Sequence, residues 1–229
     1  MSRSYRFTQR GTAASIKSFM LLALALIFVQ VAGAAVAQEG INPKGPPNDF
    51  VQAVGDRALN AVRNDAAAKA GDLKRIDELV DQYLLPYVDF DKTTRLAAGP
   101  HWRKATPEQR KALIAAFKGT LLRTYGGALA DVDKIASLQT LPFRSDPNAK
   151  DVVVRSNFLQ RNGPAIAVDY RLENTADGWK IYDINVEGIW LIQTYRTQFN
   201  EQVNRNGIQG LIDALNQRNQ SGVTAPKAS

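Results

Sequence analysis

Apolar positions recur along this chain with two different periods, and the change of period divides it. In the first half the spacing is helical. A lead-in rich in Gly and Pro over 38–48 is followed by Phe50, Val54, Ala58, Ala61 and Val62, which share one helix face. Gly71-Asp72 restarts the pattern, and Leu73, Ile76, Leu79, Val80, Tyr83 and Leu84 predict a second amphipathic helix ending near Pro86. A short third helix is expected from the Tyr87–Asp91 stretch through Leu96, stopped by Gly99-Pro100. The fourth has the clearest start. Thr106 is placed to cap it, Pro107 suits the first helical position, and Gln109 completes a Thr-x-x-Gln capping box. Leu113, Ile114, Phe117, Leu121 and Tyr125 then line one face, with Gly126-Gly127 expected to end it.

From Ile135 the period falls to two. Strands are predicted over 135–141, 152–159, 165–172 and 179–186, separated by turns at 144–150, 161–163 and 174–178. Val152, Val154 and Phe158 share a face, as do Ile166, Val168, Tyr170 and Leu172. In the last strand the alternation puts Tyr182, Ile184 and Val186 on one side and Trp179, Ile181 and Asp183 on the other. After a Glu187-Gly188 hinge the helical period returns through Ile192, Tyr195, Phe199 and Val203. Gly207 is expected to break that run before a last helix carrying Ile208, Leu211, Ile212 and Leu215. The polar stretch 219–229 reads as a disordered tail. Short turns between alternating strands mean an antiparallel meander. The expected class is α+β: a four-stranded antiparallel sheet, apolar on one face and covered by amphipathic helices, in a single domain over 38–218.

The first 37 residues stand outside that pattern. Arg3, Arg6, Arg10 and Lys17 form a basic start without acids, Phe19 to Val29 is an unbroken apolar run, and Ala35-Val36-Ala37 has small residues at the right spacing for cleavage. This order is that of a secretory signal peptide cut between Ala37 and Gln38. Removing it leaves 192 of the 229 residues, enough for one sizeable core, and lowers the formal charge from +7 to +3 because four basic residues leave. No Lys/Arg cluster with interleaved aromatics survives, which argues against a nucleic-acid partner. The mild positive balance is compatible with anionic lipid surfaces.

Candidate chemistry is sparse. With no cysteine the chain offers no thiol nucleophile or thiolate metal site, and a single histidine argues against a His-based metal site or a Ser/His/Asp triad. Asp89 and Asp91 form an Asp-x-Asp pair able in principle to do acid–base work, but acids beside a helix start are ordinary caps. His101 has no partner assignable by spacing. No catalytic residue and no metal ligand is assigned. The apolar sheet face is either filled core or the wall of an open pocket, and periodicity does not separate the two.

Two stretches resemble the MlaC family, periplasmic phospholipid-binding components of the Mla lipid transport system. In Tyr87–Leu129 the matching features are Val-Asp-Phe, Gly-x-x-Trp-Arg, the Thr-Pro-Glu-Gln-Arg cap and Leu-x-Arg-Thr-Tyr. In Trp179–Leu215 they are Trp-Lys-Ile-Tyr-Asp, Val-Glu-Gly-Ile, Tyr-Arg-x-Gln-Phe and Gly-Ile-x-Gly-Leu-Ile. The likeness covers most of 48–216, and the order and spacing of the motifs carry it. It departs at Trp190, where many relatives have a small residue; an indole there either narrows a pocket mouth or fills core.

The resemblance implies a periplasmic carrier that is not an enzyme and has no cofactor. It would hold the acyl chains of a glycerophospholipid in an apolar cavity between a curved sheet and the helices. Its partners would be an outer-membrane lipoprotein complex and an inner-membrane ABC transporter. On that reading Ile166, Val168, Tyr170, Tyr182, Ile184 and Val186 line the cavity from the sheet. Phe117, Leu121 and Tyr125 face them from the fourth helix, and Trp190, Ile192 and Tyr195 from the hinge and the helix after it. Arg196 is either a contact to a phosphate or partner protein or a solvated helix-face residue. The alternatives are an exported hydrolase using Asp89, Asp91 or Asp183, and an adaptor that binds only proteins.

Overall fold

Each helix begins where the sequence supplies an acceptor or a proline. The computed structural model describes residues 40–144, 146 and 149–221; the expected leader over 1–37 and the tail beyond 221 lie outside them. Helix α1 (Pro47–Arg63) has proline at its first position and buries Phe50, Val51, Val54, Leu59 and Val62. The short α2 (Ala66–Lys69) is capped by Asp65, and α3 (Leu73–Tyr83) by Asp72. A 3₁₀ turn at Leu85–Tyr87 leads to α4 (Phe90–Ala98), whose cap is Asp89. After a second 3₁₀ turn, Gly99–Lys104, the long α5 (Pro107–Ala130) opens with the predicted capping box. Gln109 N donates to Thr106 Oγ1 and Thr106 N to Gln109 Oε1, both at 3.2 Å.

Helix α5 does not stop at Gly126-Gly127 as its sequence suggests. A Cβ at position 126 would stand 2.6 Å from Leu73 Cδ2, so this glycine serves the close approach of α3 rather than a C-cap.

The sheet is a meander of five antiparallel strands in chain order: β1 (Ile135–Thr140), β2 (Asp151–Gln160), β3 (Ile166–Thr175), β4 (Gly178–Val186) and β5 (Ile189–Trp190). The fifth strand was not expected. Glu187 (φ 50°) and Gly188 (φ 90°) form a tight two-residue turn with positive φ at both positions, so the chain folds straight back and Ile189 pairs with Val186. The last helical span, α6 (Leu191–Ser221), is broken at Gly207 as expected: its φ of 68° and ψ of 179° are not helical, so two helices meet there at a kink. Its end is tied to α5, since Asn219 donates to Ala116 O at 2.9 Å and accepts from Thr120 Oγ1 at 3.1 Å. The ordered chain therefore runs into the stretch expected to be tail.

Alternation holds in β2 and β3 and fails in β4. Val154 pairs with Tyr170 and Val152 with Leu172, placing all four on one face. Across the next ladder Arg171 pairs with Asp183, but Leu172 pairs with Ile181, leaving Tyr182 as an extra residue. This is a β-bulge: Tyr182 and Asp183 together oppose Arg171. The apolar face therefore receives Ile184 and Val186 from one side of the bulge, and Trp179 and Ile181 from the other. The sequence expectation for Tyr182, Trp179 and Ile181 is corrected by that one inserted residue.

Buried apolar residues form three clusters. One joins α4, α5 and α6 around Phe117 and Phe199. The second joins α1 to the sheet through Phe50, Val54, Leu172, Trp179 and Ile181. The third holds α1, α3 and β1 through Leu59, Ile76 and Leu138. Phe158 is only half-buried and packs against both the second and the third.

Candidate functional site

The apolar face of the sheet is covered at one end and open at the other. Phe50, Val51 and Val54 of α1 pack with Val154, Leu172, Trp179 and Ile181 at the covered end. Val168 and Tyr170 are still buried, but Ile166 and Ile184 are half-buried. Val186 is 43% and Ile189 60% exposed. Burial thus decreases along one face toward the β4–β5 turn. Among the described residues the strands carry polar tips on this face at Thr140, Ser156, Tyr170 and Asn174 but no acid or base, and Ser156 and Tyr170 are buried. Ser156 Oγ donates to Val168 O at 2.8 Å, and burial pushes the Tyr170 phenol up to about 12. That face is therefore uncharged at any physiological pH.

The helical candidates divide into core and border. Phe117 is fully buried, with its ring centroid 5.6 Å from Phe90, 4.7 Å from Tyr195 and 5.0 Å from Phe199. It and Tyr195 are centres of the helical cluster, and burial raises the Tyr195 phenol above its ordinary value. Leu121 is half-buried at the edge of that cluster, and Tyr125, one turn on, is 46% exposed. Ile192 is buried beside the hinge.

Tyr182 and Trp190 lie on the opposite, polar face. The Lys92 ammonium sits 3.7 Å from the centre of the Tyr182 ring, and also pairs with Glu173 at 2.7 Å. Trp190 pairs with Asn185, and the Arg171 guanidinium stacks 3.8 Å from its ring. The indole at 190 therefore meets a cation on the outer face instead of narrowing a mouth on the apolar one. In exchange the structure brings in Trp179, Ile181 and Ile189, which strict alternation and a bare hinge had set aside. A two-residue Glu-Gly turn between Val186 and Ile189 was the available signal for Ile189; the bulge has none in the sequence.

The carboxylates serve the fold. Asp89 Oδ1 accepts from Lys92 N at 2.8 Å as a cap, and Asp91 is exposed. The Asp183 side chain is fully buried and latches the hinge. Its Oδ1 accepts from Ile184 N and Ile192 N, each at 3.0 Å, and its Oδ2 from Arg171 Nη1 at 3.0 Å. Burial pushes its pKa up, and the Ile192 N–H and the Arg171 charge oppose the shift. His101 Nε2 meets Asn200 Oδ1 at 2.8 Å. Among the described residues no group of three or more His, Asp or Glu side chains is arranged to hold a metal ion. Nor is any helix among them long and apolar enough to cross a membrane.

Comparison with known proteins places these features in a family context. The profile of the MlaC protein family matches residues 52–217. The chain is 39% identical to a phospholipid-binding protein from Ralstonia solanacearum, solved in complex with a phospholipid. That alignment covers 78% of this chain and 98% of the other with a TM-score of 0.73. It is 28% identical over 162 residues to toluene tolerance protein ttg2D of Pseudomonas putida, spanning 70% of this chain and 74% of that protein. It is also 24% identical over 207 residues to the intermembrane phospholipid transport system binding protein MlaC of Haemophilus influenzae, spanning 88% and 92%.

Proposed function

Because the chain belongs to the MlaC protein family, we propose that it binds phospholipid, with the acyl chains held against the open end of the apolar sheet face. The observation that carries this reading is the likeness to a protein solved with a phospholipid bound, which extends over 98% of that chain. The physical features agree with it. A domain of this size ordinarily has one contiguous core with small satellites, whereas here there are three clusters with half-buried side chains at their edges: Leu121 at the first, Ile166 and Ile184 at the second, and Phe158 between the second and third. Each acyl methylene moved from water onto such surface contributes about 0.8 kcal/mol. A two-chain lipid would therefore bind tightly with little demand on its head group.

In this proposal Ile166, Val168, Tyr170, Ile184 and Val186 contact the chains from the sheet, with Ile189 at the rim. Leu121 and Tyr125 face them from α5, while Phe117, Ile192 and Tyr195 form the packed wall behind. The protein would act in the periplasm after loss of the leader at Ala37-Gln38. There it would carry lipid between an outer-membrane lipoprotein complex and an inner-membrane ABC transporter, without turning it over.

Native mass spectrometry of the periplasmic protein, followed by organic extraction, tests the reading. A stoichiometric adduct that resolves to glycerophospholipid is expected. Ile184→Trp, which adds bulk at a half-buried position, should lower lipid occupancy severalfold while circular dichroism and thermal midpoint stay near wild type. A bare polypeptide mass that also takes up no lipid from vesicles would refute the proposal.

A further inference from the structure

Away from the sheet, four arginines converge on one surface pocket of about 590 Å³ between α4, the Gly99–Lys104 turn, α5 and α6. They are Arg95, Arg103, Arg110 and Arg196, and Trp102 forms the apolar wall. Lys92, Lys118 and Arg171 are held by carboxylates, but among the described residues no carboxylate pairs with any of these four. Two of them are fixed through Nε. Arg110 Nε donates to Trp102 O at 3.1 Å, with its guanidinium 5.5 Å from the Trp102 ring, and Arg196 Nε donates to Leu96 O at 3.0 Å. Anchoring Arg196 by Nε leaves both of its terminal nitrogens as donors. Arg95, Arg103 and Arg196 are exposed, so the pocket opens to solvent. Trp102 packs against the helical core, which makes that wall rigid.

Four like charges gathered without a counter-ion raise the local potential and favour an anion able to accept several guanidinium bonds at once. Phosphate suits that fork geometry, and an amphipathic indole suits the boundary between head groups and acyl chains. We propose that this pocket is a docking contact for the phosphate head groups of an anionic bilayer surface, separate from the apolar face that would hold the carried lipid. The whole chain carries a formal +7, reduced to +3 without residues 1–37. The attraction therefore comes from local convergence more than from net charge.

The test is co-flotation of the lipid-loaded full mature chain with phosphatidylcholine vesicles, with or without phosphatidylglycerol. The variants are Arg95→Gln/Arg103→Gln/Arg196→Gln and, as an equal-charge control, Arg144→Gln/Arg155→Gln/Arg205→Gln. Wild type should prefer the anionic vesicles, less strongly as salt is raised. At about fivefold per arginine near the surface, the pocket variant should lose on the order of 100-fold and the control no more than about threefold. Bound lipid, counted by native mass spectrometry in the same samples, should not change, which keeps this contact distinct from the carrier reading. Equal losses in both variants would reduce the effect to net charge and overturn the proposal. So would the absence of a preference for phosphatidylglycerol. A Trp102 indole resonance that shifts with inorganic phosphate or an acidic peptide, in a protein that ignores vesicles, would overturn it in favour of a free anion or a protein partner.

Discussion

Asp183 offers the sharpest test of how this fold holds its hinge. Its buried carboxylate accepts from the backbone of Ile184 and Ile192 and from Arg171, all at 3.0 Å. Asp183→Ala removes the acceptor for two backbone N–H groups, and that of Ile192 is buried. An unsatisfied buried donor costs about 1–3 kcal/mol. Arg171, 39% exposed, keeps its solvent. Relief from carrying a buried charge offsets part of the loss, so the expected destabilisation is about 2–4 kcal/mol. Asp183→Asn keeps one oxygen for both N–H groups. Because burial already disfavours the charged form, it should lie within about 1 kcal/mol of wild type at neutral pH.

The pH dependence follows from the raised pKa. A carboxyl whose folded pKa lies above its unfolded value of about 3.9 contributes stability that is complete below that value. That stability is lost as pH rises through the folded pKa. The lead of wild type over Asp183→Asn should therefore narrow from about pH 4 upward. Urea titrations of the three proteins at several pH values, followed by tryptophan fluorescence, measure both quantities. An alanine variant within about 1 kcal/mol of wild type would refute the latch. A wild-type lead that widens with pH would show that the Arg171 ion pair outweighs burial.

Three further outcomes are expected. Phe117→Ala empties the centre of the helical aromatic cluster and should cost about 3–5 kcal/mol, read from denaturant midpoints. Gly178→Ala places a methyl against the Pro43 carbonyl at a φ of 102°. It should break the bonds from Trp179 N to Pro43 O (2.7 Å) and from its indole to Gly45 O (3.0 Å), costing about 2–4 kcal/mol and altering Trp179 emission. Thr106→Ala removes one half of the capping box and should cost about 1 kcal/mol, visible as a lower thermal midpoint with no change in lipid content.

Features set by neighbouring residues were legible in the sequence. The cap at Thr106, the ends of β2, the start of β3, the meander order and the shared face of Val168 and Tyr170 depend on local hydrogen bonds, turn residues and a period of two. Sequence spacing reports all of these directly. The candidate lining was legible to the same extent: positions on unbroken alternation came out on the expected face, and those past an irregularity did not. One extra residue at Tyr182 turned Trp179 and Ile181 inward and put Tyr182 beneath Lys92. Likewise Gly126 resembles a helix stop until Leu73 of α3 is brought against it.

What only the tertiary structure decided is which apolar surface stays uncovered and which charges meet. Helix α1 reaches one end of the sheet and not the other, so Trp179 is core while Val186 and Ile189 face outward. Arg95, Arg103, Arg110 and Arg196 are spread over a hundred positions of chain, yet they ring one pocket. Local preference acts over a few residues. Exposure and charge convergence depend on distances between elements, and those exist only once the chain has packed.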